Sequence, residues 1–461
     1  MDVFLQLAKH MANVLRSWDD IVVVGHYDAD GITSTAIMVS ALRRLGKSVD
    51  FVNLKQLYSD DVEKIQDLGE YLVFVDFGVG QLPFLRENLE KPFMILDHHR
   101  IPPGEDHPLL LHPSFAGMDG AREISGAGVT YAVARYLGDN ADLAKLAVVG
   151  AVGDLQARDG LTGFNKVVSL ADAVAAGDIF AYTDLALYGR VSRPIPYMLL
   201  FSTDPILPGL TANERGVFEF LDRAHIPYKD GDRWLHYVDL SEEEKRHLFS
   251  ELAVYLMRRG WSPERVKLLM GEVYDLPKED LYSPLREARE FATLLNACGR
   301  HGYPEIGVRV SMGDREGWYR EALALLNRHR EALRRGIQWV ESVGVSEMEY
   351  IYYFHAGKVI PATIVGIVAG MVYGSGIVPP TKPIIAMAYE DEDYVKVSAR
   401  ATRRLVSRGL DLSVVMRRAA EAVGGEAGGH KPAAGARIPR GSEDEFLSVA
   451  NRAVGELLGF L

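Results

Sequence analysis

The chain is nearly devoid of cysteine: Cys298 is the one such residue in 461. No intrachain disulfide can form, so a reducing, cytoplasmic setting is expected. Cys298 closes the apolar stretch Phe291–Cys298, where a buried, inert thiol is expected rather than a nucleophile. Also missing is an unbroken apolar run of the ~20 residues that a membrane span requires. The nearest approach, residues 360–381, carries no charge. Pro361 opens it, Gly374-Ser375-Gly376 interrupts it and Pro379-Pro380 ends it. A buried helix followed by a glycine turn is expected there, and no membrane partner. The full phosphate-loop pattern is absent, and Gly126-Ala127-Gly128 lacks the third glycine of a dinucleotide fingerprint. No secretory leader is read at the start, because Met1–Trp18 carries Lys9, His10 and Arg16 and has the pattern of an amphipathic helix.

What is present is a folded-protein composition, 48% hydrophobic and 25% charged, in a chain long enough for two or three domains. The net charge of −12 argues against a protein that coats DNA generically. The distribution is uneven. Lys396–Arg440 holds ten Lys/Arg against three Asp/Glu, which suggests either a localised anion site or a solvated helix face.

The first 155 residues alternate strand and helix. Short β-branched or apolar runs at Ile21–Val24, Ser48–Val52, Tyr71–Val75 and Phe93–Leu96 are separated by helical patterns such as Thr33–Leu45. Strands buried on both faces and spaced this way predict a parallel α/β sheet, with its ligand site at the carboxyl ends of the strands. Prolines 194, 196, 205 and 208 mark an expected connector over 190–209, and residues 213–342 are expected to be mainly helical. A further strand at Met348–Phe354 opens a last segment that runs to the C-terminus.

The chemistry is concentrated just beyond the predicted strand ends. Val24 is followed by Gly25-His26-Tyr27-Asp28-Ala29-Asp30-Gly31, Val75 by Asp76, Leu96 by Asp97-His98-His99, and the helical run Asp142–Val152 by Gly153-Asp154. Four elements deliver carboxylates and imidazoles to one edge of a sheet. Acids facing one another repel unless cations lie among them. Carboxylate with imidazole and no thiolate suits Mn²⁺-like ions. Two such ions ~3.5–4 Å apart can share a carboxylate and clamp a phosphate. Taken singly, each acid reads equally well as a turn residue or helix cap; the joint placement carries the metal reading.

These four motifs, in this order, resemble the signature motifs of DHH phosphoesterases. Gly424-Gly425-Glu426-Ala427-Gly428-Gly429-His430-Lys431-Pro432-Ala433-Ala434-Gly435 resembles the glycine-rich motif of the associated DHHA1 domain, with Ala427 where that motif often has glycine. Lys396–Arg400 resembles the strand before it, and Glu290–Asn296 is similar to a segment of archaeal RecJ-like exonucleases. The resemblance implies a DHH catalytic domain over 1–195, a connector and mainly helical insert over 196–345, and a substrate-binding α/β DHHA1 domain over 346–461. It implies two Mn²⁺ or Mg²⁺ ions, one held by His26, Asp28 and Asp76, the other by Asp30, Asp76, His98 and Asp154. His99 would touch the scissile phosphate or complete a ligand shell, and Asp97 would orient the imidazoles. Arg400, Gly428, Gly429 and His430 would bind substrate. The implied activity is a single-strand DNA or RNA exonuclease working in a cleft between two domains. The chain looks closer to the branch that associates with a Hef-type repair helicase than to the replisome-associated branch, which leans toward 3′→5′ digestion. Two alternatives stand beside it: a phosphodiesterase for short oligonucleotides or cyclic dinucleotides, and a RecJ-related replication or repair scaffold.

Overall fold

A computed structural model describes residues 1–55, 62, 65–202, 204–375 and 377–459. It resolves into two compact units, Met1–Ser202 with Pro208–Leu326, and Thr203–Leu207 with Asn327–Leu461.

The first unit is built on strands β1 (Ile21–His26), β2 (Val49–Leu54), β3 (Tyr71–Val75), β4 (Phe93–Leu96) and β5 (Leu110–Leu111), in the order β2-β1-β3-β4-β5 and parallel throughout. Alternation along each strand sends its side chains into two separate cores. Ile21, Val23, Val73, Val75, Met94 and Leu96 join one. Val22, Val24, Leu72, Phe74, Phe93 and Ile95 join the other. With both faces covered, apolar residues follow one another without polar interruption, which is why these strands were readable as short continuous runs.

Four helices supply much of the first core: α1 (Asp2–Ser17), α2 (Ala29–Arg44), α3 (Gly126–Ala134) and α4 (Ala144–Gly153). Helix α1 buries Phe4, Ala8, Met11, Ala12 and Leu15, one stripe at helical spacing. Helices α5 (Ala288–Arg300) and α6 (Pro304–Ser311) also pack on α2, so the far end of the predicted insert completes the same core. Cys298 is buried there, and burial pushes its thiol up to about 12, consistent with an inert residue.

Two features of the middle segment differ from expectation. Prolines 194 and 196 open a short buried helix, Ile195–Leu200, instead of marking a bare connector; proline is well suited to a helix's first turn. The insert is also anchored by an antiparallel pair, β6 (Phe180–Leu185) with β9 (Met270–Asp275), whose partners are separated by a long stretch of chain. Arg190, buried beside this pair, is ion-paired to both Asp184 and Asp275. A two-residue hairpin pairs β7 (Lys229–Asp230) with β8 (Arg233–Trp234).

The second unit carries a six-stranded sheet of β10 (Ser346–Glu347), β11 (Tyr352–His355), β12 (Ile384–Tyr389), β13 (Tyr394–Arg400), β14 (Glu426–His430) and β15 (Ala433–Pro439), in the order β10-β11-β12-β13-β15-β14. One face is covered by α9 (Leu412–Ala422) and α10 (Glu443–Leu457). The other receives α8 (Val365–Ser375) and the distal part of α7 (Gly317–Val343). The uncharged run at 360–381 is accordingly helix α8, with Val365, Val368, Ala369 and Val372 fully buried. Among the described residues no helix is long and apolar enough to cross a membrane. The turn expected at Gly376 lies outside the described residues.

Helix α5 meets the loop after β1 closely. A Cβ at Gly299 would lie 1.7 Å from the Tyr27 carbonyl oxygen, so only glycine fits. A Cβ at Gly370, within α8, would meet nothing inside 4 Å. Gly299→Ala is expected to cost about 2–4 kcal/mol, whereas Gly370→Ala is expected to be neutral or to stabilise by up to about 1 kcal/mol. Denaturant unfolding of the two variants checks this; equal effects would contradict the packing described.

Candidate metal centre

The predicted residues converge at the carboxyl ends of β1, β3 and β4, where the strand order reverses between β1 and β3. His26 ends β1. Asp28 is the N-cap of α2 and accepts the Gly31 N–H at 3.1 Å. Asp30, in the first turn of α2, is buried and reaches the N-terminus of α3, accepting N–H bonds from Gly126 at 2.7 Å and Ala127 at 3.0 Å. Asp76 follows β3 directly. Its backbone lies in the left-handed region (φ 54°), held by its N–H to Leu96 O at 2.9 Å. Aspartate tolerates this better than most residues, but the conformation still carries strain. Gly126 makes room for it: a Cβ there would be 2.3 Å from the Asp76 carboxylate.

The side chains form three overlapping groups. His26, Asp28 and Asp76 make one, Asp30, His98 and Asp154 a second, and Asp76, Asp97, His98 and His99 a third, each with candidate ligand atoms within 4.8 Å of one another. Asp76 joins them. One of its oxygens, Oδ2, is 4.0 Å from His26 Nδ1, and the other, Oδ1, is 3.1 Å from His98 Nε2. His98 Nε2 also lies 3.7 Å from Asp30 and 4.0 Å from Asp154.

His98 is oriented from behind. Its Nδ1 donates to Gly120 O at 2.6 Å, which aims Nε2 at the acids. Asp97 belongs to the third group and is heavily hydrogen-bonded. It accepts the backbone N–H of Val79, His98 and His99 and the His99 ring Nδ1 at 2.8 Å. Its place in the structure is that of an acceptor organising the two histidines. His99 is half exposed and near Asp76 as well, at 4.0 Å.

Sequence reasoning missed the residues that brace this set. Gln156 Nε2 donates to Asp154 Oδ2 at 2.8 Å and to Gly120 O at 2.9 Å, tying together the supports of Asp154 and His98. Asn165, fully buried, donates to Gln156 Oε1 at 2.6 Å and so fixes which way the amide points. Asn165 opens a π-helical stretch, Asn165–Leu170. Asn296 of α5 accepts the Ala29 N–H at 3.1 Å. Gln156 lies two residues after a predicted ligand and Asn296 ends the segment Glu290–Asn296 noted by resemblance, whereas Asn165 carried no signal.

The donor set fits divalent ions. Asp76 Oδ1 and His26 Nδ1 are buried and face only other candidate ligand atoms, His98 Nε2 at 3.1 Å and Asp28 Oδ2 at 3.0 Å. Burial raises the Asp76 carboxyl well above its usual range, and the charges of Asp30 and Asp28 add to this. Burial likewise raises Asp30, and raises Asp154 to about 6 with repulsion from Asp30 contributing. Burial works against the charge on His98 and His99. Asp154 and Asp30 nevertheless hold His98 up, and Asp97 holds His99 up, to about 9. Burial also opposes ionisation of Asp28, yet adjacent His26 keeps that carboxyl low.

The residues expected to contact substrate lie in the second unit. Register aligns Arg400, Ala433 and His430 in one row across β13, β15 and β14, with Ala399, Ala434 and Gly429 in the next. The glycine-rich segment forms β14 and β15, an antiparallel ribbon; Gly428, Gly429 and His430 are exposed and Arg400 is half-buried.

Comparison with known proteins agrees with this architecture. Residues 20–151 match the DHH family N-terminal domain, 187–270 the DHH-CID domain and 347–456 the DHHA1 domain. An uncharacterized protein of Methanocaldococcus jannaschii is 30% identical over 457 residues, 96% of this chain and 95% of that one. The single-stranded-DNA-specific exonuclease RecJ of Thermus thermophilus is 32% identical over 179 residues, which span 35% of this chain but only 26% of RecJ. The structure of that RecJ with Mn²⁺ has a TM-score of 0.61 at 19% identity, covering 98% of this chain and 55% of RecJ. CDC45 from Entamoeba histolytica has a TM-score of 0.65 at 12% identity, covering 98% of each chain. Fold and site thus define an α/β protein in which a DHH domain precedes a DHHA1 domain. The chain belongs to the DHH/DHHA1 family and is a RecJ-like member of it.

Ion binding requires ionised carboxylates, and here several hold their protons more tightly than usual. Protons therefore compete with the ion on the acid side, and at Asp154, raised to about 6, that competition fades between about pH 5 and pH 7. The Mn²⁺-induced rise in thermal midpoint is expected to grow across that window, because each raised acid favours the ion-free fold only while protonated. Gln156→Ala is expected to weaken Mn²⁺ binding by roughly 10–100-fold. Thermal scans and calorimetric titration check both; a pH-independent rise, or unchanged affinity in the variant, would contradict the arrangement.

Proposed function

We propose that this protein is a metal-dependent exonuclease that hydrolyses phosphodiester bonds of single-stranded DNA or RNA by a two-metal mechanism. The observation that carries the reading is Asp76: a buried carboxylate with one oxygen toward His26 and the other toward His98, a candidate ligand group on each side. In this reading His26, Asp28 and Asp76 hold one Mn²⁺ or Mg²⁺ ion, and Asp30, Asp76, His98 and Asp154 hold the second. Two such ions supply Lewis-acid charge at the phosphate and lower the pKa of water.

The protein's own groups do the rest. Gly120 O and Asp97 keep the two imidazoles in fixed orientations, so no reorganisation is needed as charge develops. His99, half exposed and with its pKa raised to about 9, carries a proton near neutrality and can donate to a phosphate oxygen. No side-chain nucleophile is required, in keeping with the inert Cys298. The RecJ relatives' single-strand specificity, together with the DHHA1 domain, supports a strand contacted by Arg400, Gly428, Gly429 and His430. Arginine and histidine there would grip phosphates, while the glycines allow close backbone approach. The likeness to the helicase-associated branch favours 3′→5′ digestion and a repair-helicase partner, with a replisome component as the other candidate.

Asp76→Ala and His98→Ala are each expected to lower the rate of Mn²⁺-dependent digestion of a labelled single strand by at least about 10²–10³-fold. Labelling each end in turn reads the polarity. Undiminished digestion by either variant would sink the proposed site.

A further inference from the structure

Helix α4 is capped by Asp154 and closes with a tight turn, in which the Leu155 N–H donates to Val152 O at 3.1 Å and the Gln156 N–H to Ala151 O at 3.0 Å. That turn puts Leu155 in the left-handed region, with φ 61°. Glycine is the usual occupant of this position, because a Cβ there is strained. Among the described residues Leu155 is the only branched aliphatic residue with such a backbone; Asp20, Asp76 and His225, which share it, are of types that tolerate it better. Burial offers no compensation, since Leu155 is 67% exposed. A leucine that is strained and faces water serves the fold poorly, and glycine or asparagine would serve it better. Its place supplies a reason. Asp154 is the exposed member of its ligand group, whereas Asp30 and His98 are buried. The cluster is therefore open beside Leu155, and a substrate that reaches Asp154 meets an apolar side chain next to it. Such a surface suits the flat face of a base and not a charged phosphate.

We propose that Leu155 packs against a nucleobase of the bound strand at or next to the scissile linkage, so that the site selects nucleotides that carry a base over a bare sugar-phosphate chain. This rests on the exonuclease reading above. It differs from a purely structural role, in which Leu155 would hold the turn that presents Asp154 and its loss would disturb stability and ion binding.

The test uses the full-length chain, Leu155→Asn and Leu155→Met, and short single DNA strands in which successive nucleotides are replaced by an abasic residue. Asparagine accepts the left-handed backbone, so Leu155→Asn is expected to leave the thermal midpoint unchanged or raised, with the Mn²⁺-induced shift intact. Its KM is expected to rise by roughly 5–20-fold with kcat little changed, the loss of one apolar contact made equally before and during reaction. Leu155→Met, which keeps an apolar side chain, should recover most of the affinity. One abasic position should raise the wild-type KM by a comparable factor and cost Leu155→Asn little more, since the two changes remove the same contact. The substrate arm needs no variant to fold: if the wild type tolerates an abasic residue at every position, the proposal falls. It also falls if Leu155→Asn keeps the wild-type KM, lowers the thermal midpoint or alters the Mn²⁺ response, or if Leu155→Met binds as poorly as Leu155→Asn. A wild type that cuts normally in those cases leaves the exonuclease reading standing. A wild type that neither binds nor cuts single strands overturns both.

Discussion

Burying carboxylates beside one another costs free energy that a fold normally avoids. Here Asp76 and Asp30 are only 1% and 3% exposed, and Asp28 and Asp154 stand close by. In low dielectric such charges repel strongly, so without cations some must hold protons. The chain accepts this at a place where it also accepts a left-handed aspartate and a glycine forced by contact with that aspartate. Strain and unfavourable charge concentrated in one spot are the physical mark of a functional site. The surrounding structure holds the acids in place through the N-terminus of α3, the Gly120 carbonyl and the Gln156–Asn165 pair.

Much of this was legible before any coordinates. The strands of a sheet covered on both faces are short apolar runs, and His26, Asp76 and the Asp97-His98-His99 group each come at the end of one. A single rule, that ligands gather at the carboxyl ends of parallel strands, then turns sequence position into proximity. The acids of the first helical turn followed from the same logic. The braces did not. Gln156 and Asn165 are ordinary polar residues, and their meaning lies in contacts with Gly120 and Ser125 that only the folded chain brings about.

Long-range pairing explains the other gaps. β6 and β9 meet across an intervening segment that has helices of its own, so no local pattern announces them. The prolines near 194 suggested a linker because proline breaks helices more often than it starts them. Most of the glycine-rich run 424–435 is β-ribbon, a pairing that its glycines do not announce. Gly428 and Gly429 pair with Gly435 and Ala434, where small residues allow close strand packing.

The central claim is that Asp76 serves two ions at once. Anomalous scattering from crystals grown with Mn²⁺ measures that directly. Two peaks roughly 3.5–4 Å apart, both in contact with the Asp76 carboxylate, are the predicted result. A lone peak, or a pair that Asp76 does not bridge, would contradict it.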